Sequence, residues 1–180
     1  MRALLPALLI FLVAPAAAVV AQENPLTAYN KQVYGGVKAI LLGSAEKMPE
    51  EKYGFRPTDS VRSFGEIVGH AADAQYLFCS IVLEETNPAP QVEETKTSKA
   101  ELVAALEEAF AYCDTAYDGM TETSATELVT FRGGDSPKLG VLQVNLVHTM
   151  LHYGNLVTYM RMNDVVPPTS EPAFMQRSME

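Results

Sequence analysis

Apolar side chains recur every three to four positions through four stretches of the chain, and each stretch is bracketed by residues that start or stop a helix. The first opens at Asn24-Pro25, carries Tyr29, Val33, Val37, Ile40 and Leu41 on one face, and ends before Pro49. The second opens at Ser63-Phe64-Gly65-Glu66, where the Ser and Glu side chains are spaced to satisfy each other's backbone N–H groups. It runs to about Glu85 and stops at Asn87-Pro88-Ala89-Pro90. A second such box, Ser98-Lys99-Ala100-Glu101, opens the third, whose stripe is Leu102, Leu106, Ala109, Phe110, Cys113 and Tyr117 and whose end is Gly119. The fourth begins at Ser136-Pro137 and continues to about Asn163, ahead of Pro167-Pro168.

No strand-like alternation and no internal repeat interrupts this pattern, so the expected fold is an all-α four-helix bundle. Residues 86–97 link the second and third helices. Fully extended, that link spans about 40 Å, more than a 20-residue helix, which leaves room for a long crossover and a parallel pair.

Ahead of the first helix, one positive charge at Arg2 precedes an uncharged run from Ala3 to Val20 with small residues at its end. That pattern predicts a signal peptide over residues 1–21 and an exported domain over 22–180, periplasmic or secreted. The whole chain has 13 basic and 22 acidic side chains, a formal charge of −9 and 48% hydrophobic residues. Such an acidic surface excludes nucleic-acid binding through a basic face, and no second apolar stretch of spanning length predicts a membrane contact after cleavage.

The chain holds three histidines, His70, His148 and His152. His148 and His152 stand four apart, so both rings leave one face of the fourth helix, the spacing by which a helix offers two ligands to one metal. The same face carries Val141, Asn145, Asn155 and Tyr159, and the phase of the second helix turns His70 inward. Two readings stand open on the residues alone: a shared divalent ion, or three satisfied core histidines. Asn145, Asn155 and Tyr159 are candidates for positioning a substrate beside the ligands, with packing as the alternative. No Glu or Asp lies on the ligand stripe of the fourth helix, so no catalytic residue is identified.

Several blocks resemble the DinB-like superfamily: Arg56-Pro57-Thr58, Val61-Arg62-Ser63-Phe64-Gly65-Glu66, Gly69-His70, the run His148 to Arg161 containing His-x-x-x-His, and Val166-Pro167-Pro168. The resemblance covers about residues 24–170. It implies a four-helix bundle whose second and third helices run parallel, and a divalent metal, zinc or nickel, held by the three histidines at one end. It also implies a small-molecule substrate and either thiol-dependent transfer with bacillithiol or mycothiol, or hydrolase or isomerase chemistry. The competing expectation is a metal-binding or partner-binding module without turnover. Low-molecular-weight thiols are chiefly cytosolic, so the export signal weighs against thiol transfer.

Cys79 and Cys113 sit at matched heights if their helices are parallel, so a disulfide is geometrically open, but the phase of Cys79, opposite His70, favours two buried thiols. Asp73 is expected to be solvated, with orientation of His70 as the alternative. Gly133-Gly134-Asp135 reads as a flexible joint and Glu93-Glu94 as solvated loop. Apolar residues on more than one side of the fourth helix, with Leu142, Leu146, Tyr153 and Val157 on one flank and Leu139, Val147, Met150 and Leu151 on another, predict a homodimer.

Overall fold

The computed structural model describes residues 25–88, 90–172 and 174; the expected signal peptide, 1–21, lies outside the described residues. Four long helices are α1 (Pro25–Lys47), α2 (Phe64–Leu83), α4 (Lys99–Asp118) and α6 (Lys138–Met162), with one-turn helices α3 (Val92–Thr95) and α5 (Glu122–Ala125) between them. Both predicted capping boxes form: Ser63 with Glu66 starts α2 and Ser98 with Glu101 starts α4. Among the described residues, no helix is long and apolar enough to cross a membrane.

Side-chain pairings fix the helix directions. Lys31 pairs with Asp118, Lys38 with Asp114, and Lys99 reaches the Glu46 and Met48 carbonyls, so α1 and α4 are antiparallel. Lys138 pairs with Glu84, Gln75 donates to Thr149, and His70 meets His148, so α2 and α6 are antiparallel. On α2 and α4, Gly69 lies against Leu102 and Tyr76 against Tyr112, in the same order along both helices. The two therefore run parallel, joined by the long crossover. The stripes meet in one core around Leu41, Phe64, Leu106, Phe110, Leu142 and Leu156, all fully buried.

Three expectations are corrected here. Cys79 and Cys113 are bonded, with Cα atoms 5.3 Å apart. The face of Cys79 does turn from His70, but α4 packs on that side, so the phase that argued for free thiols points the sulfur at its partner. Second, Leu128–Phe131 (β1) and Gly134–Pro137 (β2) pair as an antiparallel hairpin, with Phe131 opposite Gly134. Each strand has only four residues, too few for an alternation to register against helical patterns. Third, Gly133-Gly134-Asp135 is thereby a hairpin turn and strand start rather than a loose joint: Arg132 and Gly133 sit at φ 51° and 80°, the left-handed pair that closes a two-residue turn.

Helix α6 is covered unevenly. Leu142, Leu146 and Tyr153 are buried, while Val147 and Leu151 are 62% and 64% exposed. With Val33, Val37 and Met150 they line a shallow apolar groove between α1 and α6.

The disulfide closes a loop with a sequence separation of 34. Replacing Cys113 by Ser should therefore lower unfolding stability by about 3–4 kcal/mol in the loop-entropy account. Thiol counting on the denatured, unreduced protein should find no free thiol; two would contradict the pairing.

Candidate metal centre

Two helices and the crossover bring the site together. His70 stands on the second turn of α2, and α6 presents His148 and His152 from the antiparallel direction. The Nε2 atoms converge: His70 to His148 is 3.3 Å and His152 to His148 is 3.2 Å. All three rings can offer ligand atoms within 4.8 Å of one another. Nitrogens about 2.0–2.1 Å from a tetrahedral zinc lie about 3.3–3.4 Å apart, so this spacing suits one small divalent ion. Hydrogen bonding alone cannot satisfy the group, because a neutral ring carries a single N–H and His148 Nε2, placed between the other two Nε2 atoms, cannot pair with both.

Burial is the main force on these rings. It pushes His148 from 6.5 down to about 4, helped by the charges of His70, Arg132 and Arg62. It holds His152 at about 4 as well, with His148, His70 and Arg62 adding to it and Glu93 opposing. Both rings are thus kept neutral, the state a metal requires.

His70 is oriented from outside the helix pair. Its Nδ1 donates to the Glu93 carboxylate at 3.0 Å, which places the ring hydrogen on Nδ1 and leaves the Nε2 lone pair facing the other two rings. Glu93 also accepts from Arg62 Nε at 2.7 Å. The Nδ1 atoms of His148 and His152 are buried without a partner among the described residues, so Glu93 is the one carboxylate there that orients a ligand ring. This corrects the expectation of solvation for Glu93, while Glu94 is exposed as expected.

Two features of α2 hold Glu93 in place. A Cβ on Gly69 would come within 2.7 Å of Glu93 Cα and 2.9 Å of its nitrogen, so the crossover backbone can lie here only against glycine. One turn later, Asp73 accepts from the Val92 and Glu93 N–H groups at 2.8 and 3.0 Å. It caps α3, whose own cap residue Gln91 makes no such bond. Asp73 is therefore neither solvated nor bonded to His70; it acts one step back, through the crossover.

Other predicted residues are divided. Asn155 and Tyr159 line a cleft of about 540 Å³ beside His152, with Arg62 and Glu93 on its far side. The Tyr159 hydroxyl donates to the Arg62 carbonyl, tying α6 to the start of α2. Asn145 is not brought to the clefts; it is 1% exposed in the core, donating to Gln75 and lying 3.5 Å from Cys113 Sγ. It faces inward as its helical phase predicts, but its side chain meets α2 and α4 further down the bundle. A second cleft of about 410 Å³ opens on the other side of the triad, reached by His70 and His148.

Comparison with known proteins agrees with this architecture. A family model described as the DinB superfamily matches residues 36–156. A DinB-like protein from Bacillus cereus superposes with a TM-score of 0.70 at 15% identity, covering 77% of this chain and 93% of that one. One from Bacillus subtilis gives 0.65 at 20% identity, over 80% and 99%. A mycothiol-dependent maleylpyruvate isomerase gives 0.61 at 16% identity, over 74% of this chain and 61% of that longer one. No curated protein matches the sequence.

Two outcomes follow from this geometry. Glu93→Gln and Gly69→Ala should each weaken zinc binding about 10- to 100-fold, the usual effect of losing a partner that orients a ligand; unchanged affinity in Glu93→Gln would show that His70 needs no such partner. In the metal-free protein, unfolded histidine rings take up protons near 6.5 and the folded His148 and His152 only near 4. Their contribution to stability is complete above pH 6.5 and is lost as pH falls toward 4. Thermal melting should therefore drop through that window, and less steeply in a His148→Asn, His152→Asn double variant; equal slopes would contradict the buried neutral rings.

Proposed function

The chain belongs to the DinB superfamily, and on that premise we propose that it is an exported metal-dependent enzyme acting on a small molecule, by hydrolysis or by transfer involving a thiol. The observation that carries this is the convergence of three imidazole nitrogens between two open clefts. Three protein ligands leave a tetrahedral ion short of one, the pattern of catalytic rather than closed structural sites. When bound, zinc or nickel would supply Lewis-acid chemistry, lowering the pKa of a water or thiol that takes the open position.

The chain's own residues then have defined tasks. His70, His148 and His152 hold the ion, and Glu93 keeps the His70 hydrogen on Nδ1. Arg62 neutralises Glu93. Asn155 and Tyr159 border the cleft beside His152, where they are placed to contact a substrate. The disulfide supports an oxidising compartment, which agrees with export and leaves hydrolysis ahead of transfer from a cytosolic thiol.

One observation favours the rival, a metal-binding module without turnover: two carboxylates beside the triad, Asp73 and Glu93, are committed to holding the crossover and the His70 ring. Neither is free to serve as a general base. A substrate screen on zinc- and nickel-loaded protein separates the two. Turnover that chelation abolishes and metal restores is expected; tight metal binding with no turnover across ester, amide and thiol substrates would favour the module. His148→Ala should remove nearly all metal binding, since two remaining ligands hold zinc poorly.

The homodimer belongs to the same proposal. Val147, Met150 and Leu151 on α6, with Val33 and Val37 on α1, form an apolar surface that a second copy would cover. Light scattering should give a dimer mass at tens of micromolar, and a monomer mass would remove it.

A further inference from the structure

The cleft that reaches His70 and His148 is built from two kinds of surface. Ala74, Leu77 and Phe78 make an apolar wall along α2, with Leu77 47% exposed, and Arg132 stands in from the hairpin. Arginine is an unusual residue for its place. At φ 51° it occupies a left-handed turn position where Asn, Asp or Gly is at ease, so the turn itself gains nothing from it.

The side chain is exposed, and it borders the cleft. Its guanidinium lies 5.0 Å over the Phe131 ring, Phe131 packs 5.9 Å from Phe78, and Phe78 meets His148 edge-on at 5.5 Å. A run of ring contacts thus sets the cation relative to the metal ligand. Arg132 makes no ion pair among the described residues. Two acids of the same cleft are already engaged, Asp73 by two backbone N–H groups and Glu93 by Arg62 and His70. Glu94 lies at the exposed rim.

We propose that this cleft is the substrate subsite and that it takes a small organic carboxylate with an apolar body. The carboxylate sits on Arg132, the body lies over Leu77 and Phe78, and the reactive end points at His70 and His148. The assignment of a reactive end rests on the metal-centre reading, whereas the recognition of the anion does not.

The probes are 3-phenylpropanoate and its uncharged isostere 3-phenylpropanamide, titrated by calorimetry and NMR into the full mature chain with and without zinc. The metal-free arm isolates Arg132, because a bound ion can itself attract a carboxylate. There the anion should bind about tenfold more tightly than the amide, as expected for a charge-assisted pair. Arg132→Asn should erase most of that preference while leaving amide binding unchanged, and its melting temperature should be equal or higher because Asn suits the turn. Arg132→Lys should keep part of the preference, and Glu94→Gln should keep all of it. Equal binding of anion and amide, or an undiminished preference in Arg132→Asn, would overturn the proposal. Zinc titration of the same samples keeps the two readings apart: no zinc binding with the preference intact defeats the metal centre alone, and zinc binding without any Arg132 dependence defeats the subsite alone.

Discussion

The parallel course of α2 and α4 obliges the chain between them to travel back along the bundle. A 20-residue helix is about 30 Å long, so this return cannot be a tight turn. It passes over the start of α2, where Gly69 lets the neighbouring chain approach more closely than any side chain would allow. Gly69 immediately precedes His70, and the backbone it admits is that of Glu93, whose carboxylate accepts a hydrogen bond from the His70 ring. The topology thus delivers a carboxylate to a histidine 23 residues earlier in the chain.

Burial and charge are balanced around that contact. Three imidazoles at one point are costly as free rings, because low polarity holds two of them neutral and their nitrogens cannot all find hydrogens. Glu93 alone would be an added negative charge, but Arg62 accompanies it, and Arg62 is itself fixed where its carbonyl accepts the Tyr159 hydroxyl. Among the described residues the Nδ1 atoms of His148 and His152 have no partner, so there only one of the three rings is oriented by a charge. The other two are set by their place on α6 and by packing, as in the edge-on contact of His148 with Phe78.

What the sequence disclosed depended on the range of each interaction. Capping boxes and helical stripes are local, so the starts of α2 and α4 were legible in Ser63–Glu66 and Ser98–Glu101. The i,i+4 spacing of His148 and His152, with the inward phase of His70, was legible for the same reason. Glu93 was hidden because it lies in an acidic, proline-containing link that resembles solvated loop, and its role is created by Gly69 and Asp73 on another element. The best clue was a glycine beside the histidine, which by itself says only that something comes close. Cys79 was misjudged differently, and Asn145 took the packing role of its two open readings: their helical phases were right, but phase does not reveal which helix stands on each side. The hairpin was too short to read, and with it went Arg132.

X-ray absorption spectroscopy of the zinc- or nickel-loaded protein tests the central claim, that three histidines on α2 and α6 form a single metal centre. The account predicts a first shell with the multiple-scattering signature of three imidazoles at about 2.0–2.1 Å for zinc, completed by a light oxygen donor and free of sulfur from the chain. A shell with fewer than three imidazoles, or one built from carboxylates, would contradict it.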